Sequence, residues 1–263
     1  MSIRRILAMV IRHMYLWPKS FERLMGTLGW PFLELTIWGL TMSYLQSNLM
    51  NSVSLVTVFL GGLIFWQFVT RTEVETALNF LEEVWNKNLI NIFASPLTKA
   101  EFLISTVISN LIKLSFTASM LTLVSWFFYQ FNILKTFGFL IPFILINLFL
   151  TGWIVSFFVI GMVLRFGYKA QELAWAITLL VQPFSCVFYP LSALPTWAQN
   201  IAKFFPTSYV FEEMRRFLYE GSINKSNLLF AFLLNLTYLI ISIWFFSMMF
   251  EKAREHGRLV KLN

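Results

Sequence analysis

Residues 137–164 read FGFLIPFILINLFLTGWIVSFFVIGMVL, a run without one charged side chain, entered after Lys135 and left at Arg165. A helix needs about 20 mainly apolar residues to cross ~30 Å of hydrocarbon, so this run alone can span a bilayer. Working outward, comparable runs occur at 30–45, 53–69, 102–128, 173–189 and 228–250. Run 30–45 is short for a crossing, and its helix is expected to start nearer Thr27. The rest of the chain has the same character: of 263 residues, 58% are apolar, 18% aromatic and only 13% charged, where a soluble domain carries about 25% charged residues. Too few ions are present to coat a water-exposed globule, and no polar stretch is long enough to form a separate one. The expectation is an all-α integral membrane protein, one domain over 1–263 with six transmembrane helices.

Several chemistries lack their residues. All 13 acidic residues are Glu, no Asp occurs, and no Gly-Lys pair is present to build a phosphate-binding loop. ATP hydrolysis by this chain is therefore not expected, nor are Walker B, EF-hand or aspartate-held Mg²⁺ sites. Cys186 is the only cysteine, and the histidines, His13 and His256, lie near opposite termini outside the apolar runs. No catalytic residue, cofactor or metal site is expected, and no nucleic-acid partner.

Orientation follows from Lys and Arg. With the N-terminus inside, connections on its side of the membrane (1–29, 71–101, 165–172, 251–263) hold 14, those opposite (46–52, 129–136, 190–227) hold 5, and Lys113 lies within a run. The positive-inside bias places both termini in the cytoplasm of a cell (inner) membrane. Segment 1–26 lacks a signal-peptide pattern. Ile3, Ile6, Leu7, Val10, Met14 and Trp17 recur at helical spacing with Arg4, Arg5 and Arg12 off their stripe, which predicts an amphipathic interface helix along the cytoplasmic headgroups, closed by Pro18.

Two connections carry structure of their own. In 70–101 a helix is expected to continue from the second span, with Val74, Leu78, Leu81 and Trp85 on one side, Glu73, Glu75, Glu82 and Glu83 largely off it, and an end near Ser95-Pro96. Thr98-Lys99-Ala100-Glu101 then forms a capping box, flanked by a Leu97–Phe102 staple, that starts the third span at Lys99. In the second connection, 183–227, Pro183, Pro190, Pro195 and Pro206 interrupt a stretch uncharged from Leu173 through Ala202. Prolines forbid one straight helix, so 190–227 is expected to hold short helical pieces that re-enter the membrane from outside, shielded by neighbouring protein.

The ordered set Trp30-Pro31 and Trp38-Gly39, then Ser95-Pro96-Leu97, then Tyr189-Pro190-Leu191 through Leu194-Pro195-Thr196-Trp197, then Phe205-Pro206-Thr207-Ser208-Tyr209 to Glu213-Met214-Arg215-Arg216 resembles the ABC-2 type permease family. The resemblance implies the membrane subunit of an ATP-binding-cassette exporter, paired with a second permease copy or close homologue and with separate ATPase subunits. It implies that 70–101 is a coupling segment, with Glu82, Glu83, Trp85, Ser95 and Pro96 as candidates for contact with the ATPase. It also implies an extracytoplasmic gate near Tyr189, Pro190, Pro195, Trp197, Pro206, Glu213 and Arg216. The cargo class would be amphipathic: a lipid-linked glycan, a lipid or a drug.

Two charges fall inside apolar runs. Glu34 is a candidate substrate or coupling group, because a mid-membrane charge costs roughly 2.5–3.5 kcal/mol; its closeness to Trp30 favours a place in water at the cytoplasmic boundary. Lys113 is expected to face a dimer interior, a protein partner or a carboxylate on a neighbouring helix. Glu212, Glu213, Arg215 and Arg216 could pair along an exposed helical turn. A secondary transporter or channel that needs no ATPase is the alternative, weakened by having only these two intramembrane charges and no matching halves.

Overall fold

The computed structural model describes residues 1–47, 55–167 and 172–255, and among them every regular element is helical. Helix α1 (Ile3–Leu16) is followed by a 3₁₀ turn at Trp17–Lys19 that contains Pro18. Ser20 then caps α2 (Phe21–Leu24), which runs through a π-helical turn at Met25–Gly29 into α3 (Trp30–Ser47). The helix leading into the first apolar run thus begins at Phe21, earlier than Thr27, because the Ser20 side chain accepts the Arg23 N–H.

Helix α4 (Leu55–Trp85) is followed by short α5 (Leu89–Ala94), α6 (Lys99–Tyr129), α7 (Ile133–Phe137) and α8 (Ile141–Phe166). Helices α9 (Glu172–Phe184), α10 (Thr196–Ala202), α11 (Pro206–Glu220) and α12 (Lys225–Glu255) complete the chain. Among the described residues four stretches are long and apolar enough to cross a membrane: Leu55–Glu83, Ala100–Tyr129, Ile133–Phe166 and Lys225–Glu255. The runs at 30–45 and 173–189 do not reach that standard. Helix α3, over the first of these runs, carries Glu34 and ends in Gln46 and Ser47, and the helix in the latter run stops at Phe184, where Pro183 has withdrawn one backbone donor.

The capping box forms as the sequence predicts. Thr98 Oγ1 accepts the Glu101 N–H at 3.2 Å, the Glu101 carboxylate accepts the Thr98 N–H at 2.9 Å, and Leu97 and Phe102 are buried in one cluster. The helix expected to run unbroken toward Ser95 is instead interrupted. Lys87 takes a left-handed conformation (φ 52°) between α4 and α5. The local sequence Asn86-Lys87-Asn88 has two Asn, poor helix formers that tolerate turns, at that point.

Helix α8 is the spine, packed on α4 along one side and α12 along the other. Two of its glycines permit the approach: a Cβ on Gly152 would lie 2.6 Å from Thr72 Cβ and 2.9 Å from the Val69 carbonyl, and one on Gly161 would lie 2.7 Å from the Phe245 ring. Two apolar cores result. One, near the start of α4, holds Phe65, Phe137, Leu148, Phe211 and Met214; the other, near its end, holds Phe80, Phe102, Phe157, Phe246 and Met249. Gly152→Ala should lower the thermal midpoint of the detergent-purified chain by several degrees, since backbone cannot yield as a flexible side chain can, whereas Gly26→Ala, with nothing within 4 Å of the new methyl, should leave it unchanged.

Candidate functional site

Near the end of α4, the N-terminal helix is tied down by charge. Arg5 reaches Glu101 at 2.7 Å and the Pro96 carbonyl, Arg12 reaches Glu83 at 2.8 Å, and Arg23 reaches Glu82 at 2.7 Å. Of the predicted stripe Ile6, Val10 and Trp17 are buried, but Ile3 and Leu7 are exposed, because the buried face is turned toward Met9 and His13. Glu82 and Glu83, expected off the apolar side and offered as candidates for contact with an ATPase, are already engaged inside the chain, and Glu83 is buried. The Glu83 carboxylate also accepts from Asn88 Nδ2 at 2.7 Å, which fixes the turn into α5. Beyond that turn Asn91, Ala94, Ser95 and Pro96 are exposed, so the connection stands out beside the latched helix. The Trp85 side chain lies outside the described residues.

Beneath the latch lies a polar layer that spacing alone did not reveal. Lys113 Nζ meets Glu75 Oε2 at 2.6 Å and Asn79 Oδ1 at 3.3 Å, all three side chains buried. The other Glu75 oxygen accepts from Thr27 Oγ1 at 2.8 Å, and Thr27 in turn accepts from Trp17 Nε1 at 3.0 Å. Arg71 donates to the Gly26 carbonyl, and Asn110 Nδ2 donates to the Thr72 carbonyl and to Thr76 Oγ1. Lys113 thus finds the neighbouring carboxylate. The signal for its partner was Arg71, Glu75, Asn79 and Glu82–Glu83 recurring on one side of a helix beside a run that holds a lone lysine. Glu34 is half-buried and accepts from Gln67 Nε2 at 2.6 Å, which joins it to α4 one turn from Arg71.

His13 is buried on α1 against Ser109, with Nδ1 and Oγ 3.2 Å apart. Burial, then the nearby cations Lys113, Arg12 and Arg23, lower its pKa from 6.5 to about 4, so the imidazole is neutral at pH 7.

At the far end of α4, a second polar group holds the chain between α9 and α11. Arg215 donates to the Cys186 carbonyl at 2.7 Å and the Val187 carbonyl at 3.3 Å, and pairs with Glu212 at 2.8 Å. Glu212 accepts the Leu191 N–H at 2.6 Å, just after Pro190. Glu213 is buried and accepts from Arg216 at 3.1 Å, from the Asn224 N–H at 2.6 Å and from Asn227 Nδ2 at 2.6 Å. Tyr189 Oη donates to the Pro183 carbonyl at 2.7 Å. These acids and arginines do pair at i,i+3 along the helix, Glu212 with Arg215 and Glu213 with Arg216, but the turn is not an exposed one: Glu213 and Arg215 are 1% and 4% exposed, because α11 packs them against the 185–191 turn and the lead-in to α12. Of the gate candidates, Tyr189, Pro190, Pro206, Glu213 and Arg216 belong to this framework. Pro195 starts α10, and Trp197 stands exposed on α10 against Phe184. Gly62 of α4 touches the same turn, since a Cβ there would meet the Val187 carbonyl at 2.7 Å. Among the described residues no cluster of His, Cys, Asp or Glu is arranged to hold a metal ion.

The arrangement is one of mechanical ties: a latched amphipathic helix and a connection with exposed residues at one end, a clamped turn at the other, and α4 touching both. The sequence profile of the ABC-2 type transporter family matches residues 8–219, from α1 to the last turn of α11. The chain belongs to the ABC-2 type transporter family. No curated protein matches it. As an ABC-2 type transporter it is a multi-pass membrane protein and a permease component of an ABC-type transporter, a family role that implies an ABC ATPase partner.

Two measurements bear on the latch. In a double-mutant cycle on this ABC-2 permease, Arg12→Glu and Glu83→Arg should each destabilise the purified chain and the pair together should recover part of the loss, with a coupling energy of about 0.5–3 kcal/mol. The folded His13 pKa of about 4 lies below the unfolded 6.5, so its neutral form contributes stability that is complete above pH 6.5 and is lost as pH falls toward 4. His13→Gln removes that loss, and its thermal midpoint should gain on the wild type as pH is lowered through this window.

Proposed function

We propose that this permease is the membrane subunit of an exporter that works as a pair of permease subunits, two copies of this chain or this chain and a close homologue, driven by a separate ATPase subunit. Six spans, with both termini cytoplasmic, make up each subunit. The four long helices supply four of them, the continuous helix from α2 through α3 a fifth, and the run containing α9 the sixth. The 14-to-5 Lys/Arg asymmetry supports the orientation, and the exposed large apolar residues of α3 and α9, among them Ile37, Leu40, Leu179 and Leu180, support burial against a second permease subunit or lipid. Segment 190–227 re-enters the outer leaflet and closes the path there; its broken helices and interlocked polar groups support that role.

The observation that carries the reading is the latch. Because Arg5, Arg12 and Arg23 hold α1 and the turn after it against Glu101, Glu83 and Glu82, a push by the ATPase on the exposed 86–96 connection is delivered at once to the N-terminal helix, α4 and α6. Ser95 and Pro96 are the contact residues, while Glu82 and Glu83 act through the arginines they bind. Nothing chemical happens to the cargo, an amphipathic molecule such as a lipid-linked glycan, lipid or drug.

Reconstituted alone, the chain should hydrolyse no ATP above background; co-reconstituted with its ABC ATPase, it should stimulate hydrolysis, and Arg12→Glu combined with Arg23→Glu should cut that stimulation severalfold while the complex still assembles. Turnover by the lone chain, or cargo movement in liposomes without any ATPase, would favour the ATPase-independent transporter instead.

A further inference from the structure

Residues of α8 and α12, near the end that carries α11, line a shared hollow. The groove has a volume of about 520 Å³ and is walled by Phe139, Phe143, Ile146, Leu228, Leu229 and Phe232. Its floor is sealed by polar groups that are already engaged. Asn147 Nδ2 donates to the Phe143 carbonyl at 2.9 Å, its Oδ1 accepts from Asn235 Nδ2 at 3.1 Å, and Asn235 Oδ1 accepts from Thr151 at 2.9 Å. Asn147, the polar residue of the floor, is 4% exposed and turned to these partners, so the floor offers a ligand mainly apolar contact. The mouth is different: Lys225, the first residue of α12, lines it and is exposed, and among the described residues no carboxylate pairs with it. The nearby Glu220 is turned to Arg216, 3.8 Å away.

Dimensions decide what such a groove can hold. From Lys225 to Phe232 is seven residues of helix, or about 10 Å at ~1.5 Å per residue, which is a third of the ~30 Å hydrocarbon thickness. A partner transmembrane helix needs a surface that continues through the full thickness. A groove that ends at the Asn147–Asn235 contact is too short for one, but it fits the upper part of a single acyl chain. Lys225 precedes the apolar run 228–250 by three residues, which sets its ammonium at headgroup level, where a phosphate would sit. The geometry points to a binding site for an anionic phospholipid, one acyl chain between α8 and α12 and its phosphate on Lys225, in the leaflet on the α11 side. The site lies outside the ionic latch and the 185–191 turn, and it holds whichever compartment that side faces.

The test is native mass spectrometry of the full chain released from nanodiscs of phosphatidylcholine with a minor fraction of phosphatidylglycerol. The wild type should retain phosphatidylglycerol in preference to phosphatidylcholine. Lys225→Gln should reduce that preference by about fivefold, the factor expected for ~1 kcal/mol per cation at an anionic surface. Leu229→Trp, which fills the groove, should reduce retention of both lipids. Lys135→Gln, an exposed lysine at the same end but outside the groove, should retain phosphatidylglycerol like the wild type. Circular dichroism of each variant establishes that it is folded. Equal retention by wild type and Lys225→Gln, or an equal loss in Lys135→Gln, would overturn the site. So would a retained second chain that Leu229→Trp removes, which would put protein in the groove; a second chain that survives Leu229→Trp pairs elsewhere and leaves the lipid assignment standing.

Discussion

Glu75 and Lys113 meet at 2.6 Å with almost no exposure of either side chain, and the α1 end of the molecule is arranged around that contact. Removing two ions from water costs several kcal/mol per ion, and only close geometry with further hydrogen bonds recovers it; breaking such a pair by removing one partner is costlier still. Helices α4 and α6 are therefore confined to the register that keeps these groups together. Thr27 donates to the second Glu75 oxygen and Asn79 receives the ammonium as well, so the π-helical lead into α3 is confined with them. Thr117 Oγ1 adds a bond back to the Thr27 carbonyl at 3.0 Å. The Arg–Glu ties of α1 rest on this body. They are partly exposed pairs and individually weak, but they act on a helix already seated through Ile6, Met9, Val10 and Trp17.

A chain whose surroundings are apolar cannot rely on expulsion of water to hold its helices together in lipid, so close packing and polar contacts carry more of the work. Helix α8 displays both devices, with Gly152 against α4, Gly161 against α12, and the Asn147–Asn235–Thr151 group between them. Helix α4 runs from the Gly62 contact with the Val187 carbonyl at one end to Glu82 and Glu83 at the other. One helix, 31 residues long, thereby touches both the latched N-terminal helix and the clamped turn, so a displacement at either contact bears on the other through a single element.

Much of this was readable in the order of residues. Length and lack of charge marked the four long helices, because hydrocarbon admits only a backbone whose polar groups are satisfied within the segment. The Thr98–Glu101 box and the proline breaks before α10 and α11 were equally local: a hydroxyl and a carboxylate three residues apart, or a missing N–H, act on their own turn wherever the helix goes. The ordered aromatic and proline pairs carried the family likeness that the profile match over 8–219 establishes.

Other features had no local cause. The acids of 73–83 read as a side turned off the apolar stripe, with Glu82 and Glu83 free to meet an ATPase, yet Arg12 and Arg23 lie 71 and 59 residues away from the acids they bind, and no periodicity within one helix reports which distant side chain will cover it. Arg215 and Glu213 read as an exposed turn for the same reason, since burial depends on the 185–191 turn and the start of α12 folding over α11. Sequence by itself determined the long apolar helices, the Thr98 cap and the proline breaks, because those are decided by each segment's own hydrogen bonds and its own apolar length. The tertiary structure alone decided which charges are buried and what they hold, because the cost of a charge is set by the neighbours that replace its water.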